Sequence, residues 1–544
     1  MSDELLRGLT MDYPLTIGAI ARRAATLWQH RPVVSRNVDR SLRRSTYGES
    51  LARARRLASV LRDLGVRPGD RVATLCWNHH RHFEAYFATP LIGAVLHTLN
   101  LRLHPDELAY IATHAEDRVL VVDRSLLPLL ERFRARTPVR DVIVVSDGGS
   151  IPDGMLDFEM LVGGATEFHG SSTPEDERGA AAMCYTSGTT GRPKAVVYSH
   201  RALVLHSMAT AMPDSFALGA SDVVLAAINM FHANAWGLPY TAAMTGAGIV
   251  LPGEHPDART LLDLCHSEGV TFSAGVPTLW LGVLEALDAT PGAWDLSRLR
   301  TIVIGGGAAP DALVRGLEER HGLRPITSWG MTEIAPVGTI GRLTPEGASL
   351  APAERHMLRM KAGQPDVLLE LRVRNESGLV PWDGTTMGEL EVRGAYVASA
   401  YYGTASDDGC FTHDGWFRTG DVATIDPMGY LEIRDRSKDL IKSGGEWISS
   451  VALEGALMSH PSVAEAAVVA VPHPRWLERP VAAVVLRAGM EASTDQLRAH
   501  LGDRFPVWWL PDDFVFVAEI PRTSTGKFLK SALRETLRTH LDRA

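Results

Sequence analysis

The sequence predicts an α/β protein of parallel sheets covered by helices, followed by a small antiparallel β unit and a separate, small α+β domain. Three observations carry this. Over the first half, amphipathic helical stretches alternate with short apolar runs, the signature of strands buried on both faces. From about Leu368 the texture changes to short alternating strands broken by Gly, Pro and Asp. After the charged, glycine-rich segment "DRSKDLIKSGGEWISS" (435–450) a new helix-and-strand pattern begins.

In chain order, "YGESLARARRLASVLRDLGV" (47–66) reads as an amphipathic helix ended by a glycine, then the turn "RPGD" and the apolar run "RVATLCW". Helix then strand recurs in "ELAYIATHAE"–"RVLVVD" and in "LLDLCHSEG"–"VTFSAGV". "LRTIVIGGGAAP" is an apolar strand running into glycines and then a helix, "DALVRGLEERHG". "ELRVRN", "GELEVRG" and "GYLEIRD" supply the antiparallel strands. The last part reads as a helix over 451–458, strands "AEAAVVAVP" and "PVAAVVLR", a helix "TDQLRAHLGDRF", a strand "DFVFVAEI" and a final amphipathic helix. The expected division is an N-terminal domain over 1–435, a linker over 436–443 and a C-terminal domain over 444–544, a permissible domain size.

At 544 residues the chain is too long for one ordinary core, and its 45% hydrophobic and 22% charged residues are globular values. A net charge of -9 argues against a nucleic-acid surface, which needs clustered Lys and Arg. The four cysteines, Cys76, Cys184, Cys265 and Cys410, form no CxxC pair. They read as reduced thiols of a cytoplasmic protein, without a disulfide frame or a zinc site. The N-terminal stretch lacks an apolar signal region, and no apolar run approaches ~18 residues, so neither secretion nor a membrane span is expected.

The segment "YTSGTTGRPKAVVYSH" (185–200) crowds hydroxyls, glycines and a lysine between apolar "AAAMCY" and β-branched "AVVYSH". A loop joining two strands is expected. It is not a Walker loop, because Lys194 is followed by Ala195 and strand-like residues instead of Ser or Thr and a helix. What remains is a loop able to offer backbone N–H groups, the hydroxyls of Thr186, Ser187, Thr189 and Thr190, and one ammonium to a polyphosphate. Alone, it suits a plain surface hairpin better. In "SWGMTEIAP" (328–336) the Glu333 carboxylate could hold Mg²⁺, which takes one or two protein oxygens and keeps waters. Thr332 and Glu333 also suit an ordinary first helical turn. "PRTSTGKFLK" (521–530) aims Lys527 as a point charge just before a helix, or is an exposed capping turn. His232 and Trp236 in "MFHANAWGLP" suit a core as well as a site. "NHHRH" (78–82) matches no standard metal spacing and reads as non-ligating.

Six segments in order, "YTSGTTGRPK", "MFHANAWGLP", "SWGMTE", "WFRTGD", "RDRSKDLIKSGGEWIS" and "PRTSTGK", resemble the adenylate-forming superfamily. The resemblance is closest to bacterial fatty-acyl-CoA synthetases and medium-chain acyl-CoA ligases, including methylthiopropionate-CoA ligase-like enzymes. It implies the adenylate-forming fold, in which the antiparallel unit is β-barrel-like and the small C-terminal domain is mobile. It implies ATP, Mg²⁺ and CoA, with a medium- or long-chain acid activated as an acyl-adenylate and passed to the thiol.

The same resemblance implies roles for particular residues. Thr186, Ser187, Gly188, Thr189, Thr190, Gly191 and Lys194 would clasp the β- and γ-phosphates, with Thr186 and Glu333 near Mg²⁺. Gly307, Ala308 and Trp329 would line the adenine pocket, Ser328, Gly330, Met331 and Thr332 would belong to the same ATP- and AMP-binding set, and Asp421 with Arg436 would take the ribose. His232 would lie beside the acyl carboxylate, with Trp236 and Gly306 at the acyl pocket and its gate. Lys527 would serve adenylation, Lys438 would be the pivot of domain alternation, and Lys442, Ser443, Gly444, Gly445, Glu446 and Trp447 would face CoA. Homodimerisation through the N-terminal domain is implied by analogy alone.

Three positions depart from the family pattern: Ala195 where glycine is usual, Trp329 where long-chain synthetases carry tyrosine, and Asn229 where proline is common. Other functions compete. An adenylating enzyme could serve an amine or a carrier protein, or act as an ATP-dependent diazotase. A non-catalytic binding module is disfavoured by the presence of Glu333, Asp421, Arg436 and Lys527, and a P-loop NTPase by the motif spacing.

Overall fold

The computed structural model describes residues 8–170, 176–186, 192–404, 409–443, 446–502, 504–522, 528–538 and 540–541, with Glu446 described by its backbone alone. The first long helix, Tyr47–Asp63, begins where the sequence encodes a reciprocal cap. The Thr46 hydroxyl accepts the Glu49 N–H, and the Glu49 carboxylate accepts the Thr46 N–H. Its apolar face, Leu51, Ala54, Leu57, Ala58 and Leu61, is buried almost completely.

Two large sheets follow from the alternating pattern. The seven-stranded sheet runs Leu156–Asp157, Asp141–Val145, Asp117–Asp123, Arg71–Leu75, Val95–Thr98, Ala180–Tyr185, Ala195–Ser199. All its pairs are parallel except the last, which is the expected hairpin around residues 186–194. In the nine-stranded sheet, six parallel strands run in spatial order Pro325–Gly330, Thr301–Gly305, Phe272–Gly275, Val223–Leu225, Gly248–Leu251 and Pro32–Arg36. Alternation along these strands sorts the core. Val33 and Val303 join the central cluster that also holds Val72, Val119 and Leu96 of the other sheet. Their neighbours Val34, Ile302 and Ile304 face the second cluster, under the outer helices.

The antiparallel unit is a five-stranded sheet in the order Gly378–Leu379, Leu369–Asn375, Gly388–Gly394, Phe417–Ile425, Leu431–Arg436. The chain then passes through residues 437–440 into Ile441–Ser443, a strand of the C-terminal sheet. In that sheet Val463–His473 pairs with Leu477–Leu486. Ala466, Val468, Ala482 and Val484 pack on one face, while Ala467, Val469, Val481 and Ala483 pack on the other. Both faces are covered, which explains why these strands read as near-continuous apolar runs.

Two expectations change in detail. The helix expected from Asp311 keeps α geometry only to Arg315 and widens into a π-type turn over Gly316–Arg320. Gly316 sits where a Cβ would come within 2.7 Å of the Leu284 side chain, so close packing accompanies the change. The run "RVATLCW" leaves the sheet after Leu75, and the Trp77 N–H is taken by the Asp123 carboxylate at 2.7 Å. Among the described residues, no helix is long and apolar enough to cross a membrane.

Candidate active site

A cavity of about 840 Å³ opens where the hairpin, the end of the strand Pro325–Gly330, the antiparallel sheet and the last helix meet. The neck of the hairpin is closed by two bonds between the same residues. The Thr186 N–H donates to the Lys194 carbonyl at 2.9 Å, and the Lys194 N–H donates to the Thr186 hydroxyl at 3.2 Å. Both residues line the cavity. Residues 187–191, which include Ser187, Gly188, Thr189, Thr190 and Gly191, lie outside the described residues. Ala195 occupies a β position opposite Tyr185 and is fully buried beside Met183, Val95 and Ala115. Its methyl group fills a small core there, and no left-handed backbone demands a glycine.

Glu333 is 6% exposed and lies in the cavity wall with Ser328, Gly330, Met331 and Thr332. Burial pushes its carboxyl above the usual range, opposed by a hydrogen bond from the Tyr401 hydroxyl at 2.6 Å. The Tyr401 ring also lies 4.4 Å from the Lys194 ammonium, so one side chain touches both the hairpin lysine and the buried acid. The donors facing this part of the cavity, the Thr186 hydroxyl and the Glu333 carboxylate, are both oxygens. That set suits a hard divalent cation that keeps several waters.

Trp329 stands behind the wall, with its indole N–H donated to Asp421 at 2.8 Å. The other Asp421 oxygen pairs with Arg436 at 2.6 Å. Asp421 is 2% exposed, whereas Arg436 and Lys438 face the cavity. Gly306 also lines it, but Gly307 and Ala308, next in the chain, are exposed and lie outside its lining.

His232 and Trp236 line the cavity from the segment after Met230. The backbone from Ala233 to Gly237 holds five successive positive φ values, 35°, 39°, 58°, 54° and 73°. Left-handed conformation at four consecutive non-glycine residues is strained, and the fold sustains it where Trp236 meets Gly305. A Cβ on Gly305 would lie 2.8 Å from the indole tip.

The strands Ile441–Ser443 and Glu446–Ile448 form a hairpin carrying Lys442, Ser443, Glu446 and Trp447, away from the cavity lining. Its tip, Gly444 and Gly445, lies outside the described residues, as does Lys527. Phe528, Leu529 and Lys530, directly after Lys527, do line the cavity, as does Arg534. In the 78–82 cluster both His79 nitrogens are engaged: Nδ1 accepts the His82 N–H at 3.2 Å, and Nε2 bonds Asp123 at 2.7 Å. Burial lowers the neighbouring His82 to about 3, which keeps it neutral.

Sequence reasoning missed Tyr401, Lys530 and Arg534. The signal for Tyr401 is faint, an aromatic pair before a glycine in "AYYGT". Its importance comes from a contact with a residue 68 positions distant.

Comparison with known proteins agrees with this geometry. Residues 21–402 match the family described as AMP-binding enzyme, and residues 452–527 match the AMP-binding enzyme C-terminal domain. A long-chain-fatty-acid–CoA ligase of Thermus thermophilus is 50% identical over 533 residues, covering 97% of each chain. A medium-chain-fatty-acid–CoA ligase of Ectopseudomonas oleovorans is 42% identical, again over 97% of each. The crystal structure of an anthranilate CoA ligase in complex with anthranoyl-AMP superposes with a TM-score of 0.85 at 26% identity, covering 98% of this chain and 99% of that one. The chain belongs to the AMP-binding enzyme family, with the adenylate-forming fold.

Proposed function

We infer that this chain is an AMP-forming acid–thiol ligase that activates a medium- or long-chain fatty acid with ATP and transfers the acyl group to CoA. One observation carries the reading. The hairpin neck Thr186–Lys194, the buried Glu333, His232 and the residues directly after Lys527 all meet in one cavity. The names of the relatives, fatty-acid–CoA ligases at 42–50% identity, support the same reaction.

In the first step a carboxylate oxygen attacks the α-phosphorus and the bond to pyrophosphate breaks. Anion meets anion, so the protein's main task is electrostatic. Lys194, with residues 187–191, holds the β- and γ-phosphates. Thr186 and Glu333 would hold Mg²⁺, which would supply charge neutralisation on the phosphate oxygens. Asp421 and Arg436 take the ribose, with Ser328, Gly330, Met331 and Thr332 near the adenine. His232 orients the acid, Trp236 and Gly306 bound its tail, and Lys527 reaches the reacting oxygens. In the second step the CoA sulfur attacks the acyl carbon and AMP leaves.

We assign the two steps to alternate poses of a C-terminal domain, 444–544, that turns on the linker 436–443 about Lys438 against the domain 1–435. The 442–447 hairpin serves the thiol in the second pose. Four cysteines without disulfides support a cytoplasmic setting.

The test is pyrophosphate release across a panel of carboxylic acids, with and without CoA. Acid-dependent release is expected, with an acyl-CoA thioester formed when CoA is present. Release without any thioester would replace CoA by another acceptor, and no acid-dependent release would overturn the reading.

A further inference from the structure

A continuous run of short polar contacts crosses the linker. Asp435 lies near the end of the strand Leu431–Arg436, before Lys438, and is 1% exposed. Its Oδ2 accepts both the N–H and the O–H of Ser450, at 2.6 and 2.7 Å. Ser450 is the first residue of the helix Ser450–Met458, beyond the linker. The Ser450 hydroxyl accepts in turn from the Lys530 ammonium at 2.6 Å. That ammonium also pairs with Glu454 at 2.6 Å, and Glu454 accepts the Val468 N–H at 2.7 Å. Lys530 opens the last helix, three residues after Lys527, and lines the cavity. A parallel rung runs beside this chain: Ser449 donates to the Arg434 carbonyl, and Arg534 bonds Asp439 at 2.7 Å.

Asp435 precedes the pivot, while Ser450 and Lys530 follow it. A turn about the Lys438 backbone moves one side relative to the other, so the Asp435–Ser450 bonds hold in one pose only. When they break, Lys530 keeps Glu454 as its buried counter-charge. The ammonium is then never stranded, and the contact can open and reform.

We propose that Asp435 is a positioning residue for adenylate formation: through Ser450 and Lys530 it seats the start of the last helix, with Phe528 and Leu529, against the cavity. The proposal rests on the two-step reading above. It assigns to Asp435 the stability of the first pose and no part in the second.

The test uses two full-length variants. Asp435→Asn keeps size and removes charge, and Ser450→Ala removes only the bridging hydroxyl. Acid-dependent pyrophosphate release is measured with decanoic acid, and thiolysis by CoA with supplied decanoyl-adenylate. In both variants the first rate should fall about tenfold or more, with the second rate unchanged, as loss of a buried charge-assisted bond implies. Tryptic cleavage in the linker at Arg436 and Lys438, followed with ATP present and no acid, should be faster in both variants. A parallel fall of both half-reactions, unchanged rates in both, or unchanged cleavage would overturn the proposal. If wild-type protein forms no adenylate while the variants are still cut faster, the functional reading fails and the contact across the linker stands.

Discussion

The indole N–H of Trp329 donates to the carboxylate of Asp421 at 2.8 Å, joining the end of a strand in the nine-stranded sheet to the middle of the antiparallel unit. The other carboxylate oxygen holds Arg436, the last residue of the strand Leu431–Arg436. Asp421 is thereby oriented from two sides. A tyrosine at 329 would carry its donor at a different reach. Trp329→Phe should leave one oxygen of a buried carboxylate without its donor, a loss of about 1–2 kcal/mol, or roughly five- to thirtyfold in ATP affinity. Calorimetric titration with ATP checks this, and unchanged affinity would detach Asp421 from the nucleotide.

Tyr401 touches both Lys194 and Glu333. Tyr401→Phe keeps the ring under the ammonium and removes only the hydroxyl that offsets the cost of burying Glu333. The variant should bind Mg²⁺·ATP more weakly by roughly five- to tenfold, about 1 kcal/mol, with its thermal midpoint lowered. Binding titrations at several Mg²⁺ concentrations separate the two contacts. No loss in Tyr401→Phe beside a clear loss in Tyr401→Ala would mean that the ring, and not the hydroxyl, sets the site.

How much of this was legible follows from where each signal is stored. The helix Tyr47–Asp63 announces itself locally, through the Thr46–Glu49 cap and an apolar face at helical spacing. The hairpin at 185–195 is equally local, with two apolar runs around glycines and hydroxyls. Glu333, Asp421 and Trp329 were nameable through motifs, but neither Tyr401 nor the Trp329–Asp421 bond was, because these contacts span 68 and 92 residues. The left-handed run over 233–237 was invisible, since nothing in "HANAWG" except its asparagine and glycine tolerates positive φ. Tertiary packing imposes it. The Asp435–Ser450–Lys530 chain is hidden for the same reason, three unremarkable residues brought together only by the fold.

Asp366 gives a pH prediction outside the site. It is 7% exposed, accepts the Val367 N–H at 2.8 Å and the Ser215 hydroxyl at 3.2 Å, and burial pushes its carboxyl up to about 6. A folded value above the unfolded one favours folding while the group is protonated in both states. That contribution is present below about 4 and is lost as pH rises through about 6. Asp366→Asn removes the charge and keeps an acceptor for Val367. Relative to wild type it should gain up to about 3 kcal/mol at pH 8 over its value at pH 4, from a shift of roughly two units. Denaturant midpoints at the two pH values measure the difference, and a pH-independent effect would remove desolvation as the cause.

Trp236 offers the sharpest test of the acyl pocket. Its indole is 5% exposed, reaches the cavity, and would lie 2.8 Å from a Cβ added at Gly305. The strained turn over 233–237 therefore presses the ring against a position that only glycine accommodates. Trp236→Ala should lengthen the space available to an acyl tail, and Gly305→Ala should push the ring outward and shorten it. Because removing a buried tryptophan costs about 3–5 kcal/mol of stability, absolute rates will confuse folding with selectivity. The ratio of kcat/KM for dodecanoic over butanoic acid cancels the folded fraction. That ratio should rise in Trp236→Ala and fall in Gly305→Ala, each by about tenfold, as expected for one or two methylenes gained or lost in a hydrophobic pocket. An unchanged ratio in both variants would mean that the chain-length limit lies elsewhere along the cavity.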